Sequence, residues 1–162
     1  MAGPDGVFVV VGLALAHFAG FMACEGSHLL SSQVCSTWRL MSRISLAAFM
    51  AGGANLRRNK KLVENLLIPI VPPPLPPRAC VYLSGLAELL CGVVLIMPGY
   101  EQLGAGGIVL LLLAVFPANV YHACSAHAHK LTRIGPPAVY WRLPIQGLFI
   151  GWARWHMTSS II

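Results

Sequence analysis

The sequence predicts an all-α fold: a transmembrane helical bundle with a four-helix core and an additional N-terminal transmembrane helix. Three observations predict it. Hydrophobic residues make up 57% of the 162 and charged residues only 10%, where a soluble domain carries roughly 25% charged residues. The apolar residues gather into runs near the ~20 residues that a spanning helix needs. Most basic residues fall between those runs on one side of the implied membrane. A chain of this length holds one domain with about four or five crossings, which excludes a soluble enzyme and a two-domain transporter. The net charge of +6 is a topology signal rather than a nucleic-acid footprint, because no polar basic face accompanies it.

The first run, Gly6 to Cys24, is uncharged and long enough to cross a bilayer. No Lys or Arg precedes it, so it reads as a crossing and not as a cleavable signal. Residues 1–37 thus form an N-terminal extension, and 38–162 form the four-helix membrane domain. Its first helix, Trp38 to Leu56, spans if Arg39 and Arg43 reach the interface, and its small residues Ala47, Ala48, Ala51, Gly52 and Gly53 suit close packing. Residues 56–79 hold a surface helix and a proline-rich loop. Leu62, Val63, Leu66, Leu67 and Ile70 make an apolar stripe, while Arg57, Arg58, Lys60 and Lys61 face anionic lipid headgroups. Val71 to Pro77 is expected to be extended, since consecutive prolines fix φ and remove donors.

Three further spans follow: Cys80 to Met97, Leu103 to Cys124 with Pro117 inside it, and Leu143 to Met157 with Pro144 in its first turn. Residues 125–142 form a His-rich, basic loop. Tyr82, Tyr100, Tyr121, Tyr140, Trp141, Trp152 and Trp155 lie near span ends, as an interfacial belt should. With five spans, Arg57, Arg58, Lys60, Lys61, Arg78, Lys130, Arg133 and Arg142 share the amino-terminal side, against Arg39, Arg43 and Arg154 opposite.

The residues suited to chemistry are few. Glu88 lies mid-span, where a carboxylate must face the bundle, be paired or be protonated. Ser84 is one turn away, and Asn119, Arg142 and Gln146 are the expected partners. Two readings of this set stand: a polar anchor holding the bundle together, or a site for a quinone or lipid. Five cysteines never spaced as C-x-x-C exclude a zinc knuckle and a redox pair. His122 and His156 fall at opposite ends of neighbouring spans and cannot clamp one haem. The chain carries no P-loop, G-x-G-x-x-G, G-x-S-x-G or H-E-x-x-H. No catalytic set, no metal site and no cofactor other than a bound lipid or quinone is expected.

IVPPPLPP (Ile70 to Pro77), YLSGLAELLCGVVLIMP (Tyr82 to Pro98), LLLAVFPANVY (Leu111 to Tyr121) and RLPIQGLFIGWA (Arg142 to Ala153) occur in order from Trp38 onward. In these stretches the chain resembles the DoxX-like family of small four-helix membrane proteins. Glu88, Pro117, Asn119, Arg142, Pro144 and Gln146 lie in the matching motifs. Members of that family commonly carry Gly-x-x-His-Phe at the end of the first core helix, where this chain has Gly53-Ala54-Asn55-Leu56-Arg57-Arg58, so an activity depending on that His is not expected. The resemblance implies a membrane protein of bacterial or organellar type, with some members similar to subunits of thiosulfate:quinone oxidoreductase. The resulting expectation is a non-catalytic accessory subunit of a larger respiratory-type membrane complex, with membrane lipids and other membrane subunits as partners and no nucleic acid. A quinone-interacting oxidoreductase subunit and a small lipid-binding or small-molecule-binding membrane protein are the alternatives. The mitochondrial inner membrane is favoured over a bacterial plasma membrane.

Overall fold

The computed structural model describes residues 31–158, together with 12, 13, 15–17, 19, 20, 23 and 24. The expected first crossing, residues 6–24, lies largely outside them. Among the described residues the chain is helical throughout, with no strand.

Four long helices form the body: α1 (Ser32–Leu56), α3 (Pro77–Ile96), α4 (Glu101–Cys124) and α6 (Arg142–Thr158). Between α1 and α3 lies α2 (Lys60–Leu62), continued by a π-helical turn (Val63–Leu67) and a 3-10 turn (Ile68–Ile70); α5 (Ala126–Thr132) follows α4.

Local chemistry sets the ends of these elements. The Ser31 hydroxyl caps α1 by accepting from the Val34 amide, and Ser125 caps α5 by accepting from Ala128. Asn59 does the same for α2 through Leu62. Pro77 opens α3, a position where its missing N–H costs nothing. Pro98 stops α3, and Gly99, at φ +84°, makes the turn into α4. A Cβ on Gly104 would lie 2.3 Å from the Leu95 backbone nitrogen, so glycine is what allows α3 and α4 to close tightly behind that turn.

Consecutive long helices are neighbours: α1 packs on α3, α3 on α4, and α4 on α6. Large side chains close the ring between α6 and α1. Phe149 stacks on Phe49 with ring centroids 4.2 Å apart, and Trp152 reaches Ser42. The core inside the ring comprises Leu46, Ala47 and Met50 of α1, Leu95 of α3, Ala105 and Ile108 of α4, and Phe149, Trp152, Ala153 and Trp155 of α6.

The surface helix takes a different form from the one its stripe predicts. Val63 and Ile70 are buried and Lys60, Lys61 and Glu64 exposed, as expected, but only one α-turn forms before the backbone widens and then tightens. Pro69, lacking an N–H, falls in the closing 3-10 turn. The segment packs against α5 and the ends of α3 and α4, so its apolar side is covered by protein. The proline loop also departs from the expected extended form: the Leu75 amide donates to the Pro72 carbonyl at 3.2 Å, which makes a turn.

Two helices, α3 and α4, are long and apolar enough to cross a membrane. Only 22% and 17% of their apolar windows are buried, unlike the core helix of a soluble protein. Leu83 and Leu90 on α3 and Leu103 and Leu110 on α4 are more than half exposed. At 17 residues, α6 covers about 25 Å at 1.5 Å per residue, while α1 is longer but interrupted by charge.

Candidate functional site

The expected polar set falls into two hydrogen-bonded groups. In the first, Glu88 meets Arg57. Arg57 is the C-cap of α1, one turn beyond Gly53, and its side chain crosses onto α3. Its Nη1 donates to Glu88 Oε2 at 2.6 Å and its Nη2 to Glu88 Oε1 at 2.9 Å, a two-pronged contact suited to a planar guanidinium and a carboxylate. Nη1 also donates to the Gly53 carbonyl at 2.7 Å, Nη2 to Ser84 Oγ at 3.2 Å, and Nε to the Val81 carbonyl at 2.8 Å. These are five bonds, as many as a guanidinium has N–H groups. Side-chain exposure is 14% for Arg57 and 18% for Glu88.

Two glycines make room for the pair. A Cβ on Gly85 would lie 2.2 Å from Arg57 Cδ, and one on Gly53 would lie 2.8 Å from Glu88 Oε2. The expectation that Arg57 contacts lipid headgroups is therefore corrected: its charge is satisfied inside the bundle, while Arg58, Lys60 and Lys61 remain exposed. The anticipated partners of Glu88 lie elsewhere.

The second group joins α4, α5 and α6. Asn119 Nδ2 donates to Gln146 Oε1 at 2.7 Å, and the Gln146 amide donates to the carbonyl of Leu112, in the turn before Pro117. One turn toward the start of α6, Arg142 Nη1 donates to His122 Nδ1 at 3.0 Å. A guanidinium can only donate, so His122 carries its proton on Nε2, where it meets Thr132 Oγ1 at 3.1 Å. Thr132 passes its own proton to the Ala128 carbonyl at 2.8 Å, and His129 Nε2 donates to the His122 carbonyl at 2.6 Å. His122 is wholly buried.

A third cluster gathers around His156, which the sequence places only at a span end. The Trp152 indole donates to Ser42 Oγ at 2.8 Å, and the same hydroxyl shares a hydrogen bond with His156 Nε2 at 3.0 Å. His17, from the N-terminal segment, lies against the same indole at 4.8 Å between ring centroids and against Trp38 at 5.6 Å. The signal was available in outline: Trp152 and His156 are one turn apart, with polar edges on one helix face. Nearer the α3–α4 turn, Arg43 pairs with Glu101 at 2.6 Å.

Residues 59–157 match the family described as Domain of unknown function (DUF8561), well over half of the chain. The chain belongs to the DUF8561 family. Comparison with curated proteins and with solved structures finds no match. The DUF8561 region contains α2 to α6 and all of the second group, whereas α1 lies before it. Arg57–Glu88 and Ser42–Trp152 are thus bonds between α1 and the DUF8561 region.

An open groove of about 580 Å³ lies outside the bundle, lined by Glu64, Ile68, Pro76, Pro77, Arg78 and Ala79. None of the polar groups described above lines it.

Proposed function

We propose that the protein is a non-catalytic integral membrane subunit of a larger membrane assembly. In this reading α1, α3, α4 and α6 form a DoxX-like transmembrane bundle, with the N-terminal segment as a further crossing. One observation carries it: the mid-helix acid and amide side chains of the bundle, Glu88, Asn119 and Gln146, are bonded to partners on neighbouring helices. Glu88 is held by Arg57, and Gln146 is held between Asn119 and the Leu112 carbonyl. A proton relay or a quinone site needs a polar group with a free valence facing a cavity, and Glu88 and Gln146 act here as interhelical ties. The apolar, exposed faces of α3 and α4 supply the surface for lipid or for neighbouring subunits. The resemblance of the motifs adds the respiratory-type assembly and the mitochondrial inner membrane to the proposal.

The test is extraction of the tagged, full-length chain from its native membrane in mild detergent, followed by native electrophoresis. Co-migration with a larger membrane complex supports the reading. A chain that runs only as a free monomer, at the mildest detergent that releases it, overturns it.

A further inference from the structure

Arg142 differs from two other arginines of the bundle in what it meets. Arg43 faces Glu101 and Arg57 faces Glu88. The hydrogen bond of Arg142 goes to the neutral lone pair of His122 Nδ1 at 3.0 Å. Among the described residues no carboxylate accompanies it, and the sequence contains no Asp or Glu beyond Glu101. The remaining described acid, Glu64, is exposed beside the groove at Pro76–Ala79.

The guanidinium is not simply snorkelled into water. The bond to a wholly buried ring holds its head against α4, and Arg142 is only partly exposed. A cation held this way, half-buried at the end of an apolar helix, favours an anion as the partner of its remaining donors. The Thr132–His122 pair fixes Nη1, and among the described residues Nη2 and Nε have no acceptor. Those two donors have the spacing that matches two oxygens of a phosphate. Lys130 and Arg133, exposed on α5 and just after it, add positive potential at the same end.

We infer that Arg142, oriented by His122 and Thr132, is a receptor for a phosphate oxyanion at this end of the bundle. The depth favours a lipid phosphate as its source. Tyr140 and Trp141, immediately before Arg142, are 51% and 61% exposed, where amphipathic rings mark the headgroup layer. A polar headgroup on Arg142 would place its acyl chains along the exposed apolar side of the bundle. The inference rests on the membrane placement proposed above, but not on membership of a larger assembly.

The experiment titrates the purified full-length protein in neutral detergent with dioleoylphosphatidylglycerol, with dioleoylphosphatidylcholine and with inorganic phosphate, and reads binding by native mass spectrometry. The expected result is a preference for the anionic over the zwitterionic lipid of about tenfold or more. Arg142→Gln abolishes that preference, whereas the Lys60→Gln/Lys61→Gln double variant keeps it. Arg142→Lys retains the charge without the fork and falls between. Thr132→Val, which frees His122, weakens the preference by about threefold; these two variants carry the test if Arg142→Gln does not fold. Millimolar phosphate displacing the lipid assigns the site to phosphate from either source, and lipid retained against phosphate assigns it to the headgroup. Equal binding of the two lipids together with no phosphate binding, or an undiminished preference in the Arg142 variants, overturns the inference. Failure of the protein to enter phosphatidylcholine nanodiscs overturns the membrane placement and the lipid source together, while phosphate binding in detergent still reads the receptor.

Discussion

Breaking the Arg57–Glu88 pair one residue at a time should be costly, and replacing both together should be cheap. Glu88→Leu removes two charge-assisted bonds, of 2.6 and 2.9 Å, and strands a guanidinium that is only 14% exposed. Isolating one member of a buried pair costs about 3–5 kcal/mol, and the residual exposure of both side chains sets the expectation near the lower bound, about 3 kcal/mol. Arg57→Met strands the carboxylate instead, for a similar loss. The carbonyls of Gly53 and Val81 that Arg57 also touches lie within helices, and Ser84 keeps its own bond to Val81 at 3.0 Å, so they add little. The double variant Arg57→Met/Glu88→Leu leaves no stranded charge and fills similar volume, for a cost of about 1 kcal/mol. The cycle should therefore return a coupling of about 5 kcal/mol. Unfolding in a graded detergent mixture reads it through helicity and through the chain's four tryptophans. If the single losses add to the double within about 0.5 kcal/mol, the pair is not the tie described here.

Three other outcomes follow from the same geometry. Gly104→Ala sets a Cβ 2.3 Å from the Leu95 backbone nitrogen, where nothing flexible can yield. It should destabilise the α3–α4 hairpin by about 1–3 kcal/mol, which thermal unfolding in detergent would register, while wild-type stability would refute the close approach. Ser42→Ala removes the shared hydroxyl from Trp152 and His156 and should cost about 1–3 kcal/mol; because it alters the indole's surroundings, tryptophan emission should shift as well, and an unchanged spectrum counts against the cluster. Gln146→Leu leaves Asn119 without its partner on α6 and should lower stability by about 1–2 kcal/mol, with amide exchange near Asn119 rising in step; unchanged exchange there would refute the tie.

The helices were readable because their signals are local. Long apolar runs and the Pro98–Gly99 stop act within a few residues, whereas the starts of α1 and α3 fall earlier than the expected Trp38 and Cys80, at Ser32 and Pro77, because the Ser31 cap and Pro77 in the first turn extend helix beyond the apolar run. Arg57 illustrates what is not local. It stands beside Arg58, Lys60 and Lys61, and in one dimension all four look like a single basic patch. Only the helical phase separates it, because Arg57 continues the face of Gly53 while Arg58 turns outward. The matching pattern on α3 is Val81, Ser84, Gly85 and Glu88, one face with a gap at Gly85. A glycine one turn before an arginine, opposite a glycine one turn before a glutamate, is a readable sign of an interhelical tie. The cluster at Ser42 had no such sign, since its members are separated by more than a hundred positions and meet only when the ring of helices closes.

That closure also imposes an order on biogenesis. Each of α1, α3 and α4 finds its neighbour in the next helix to be synthesised, so three sides of the ring can form as the chain emerges. The fourth side needs α6, whose Phe149 and Trp152 complete the contact with α1. His17 docks on Trp38, available early, and on Trp152, available only near the end of synthesis. The segment that carries His17 must therefore wait for Trp152 before its seat is complete, and a chain stalled or cut before Trp152 should leave that segment without one of its two ring contacts.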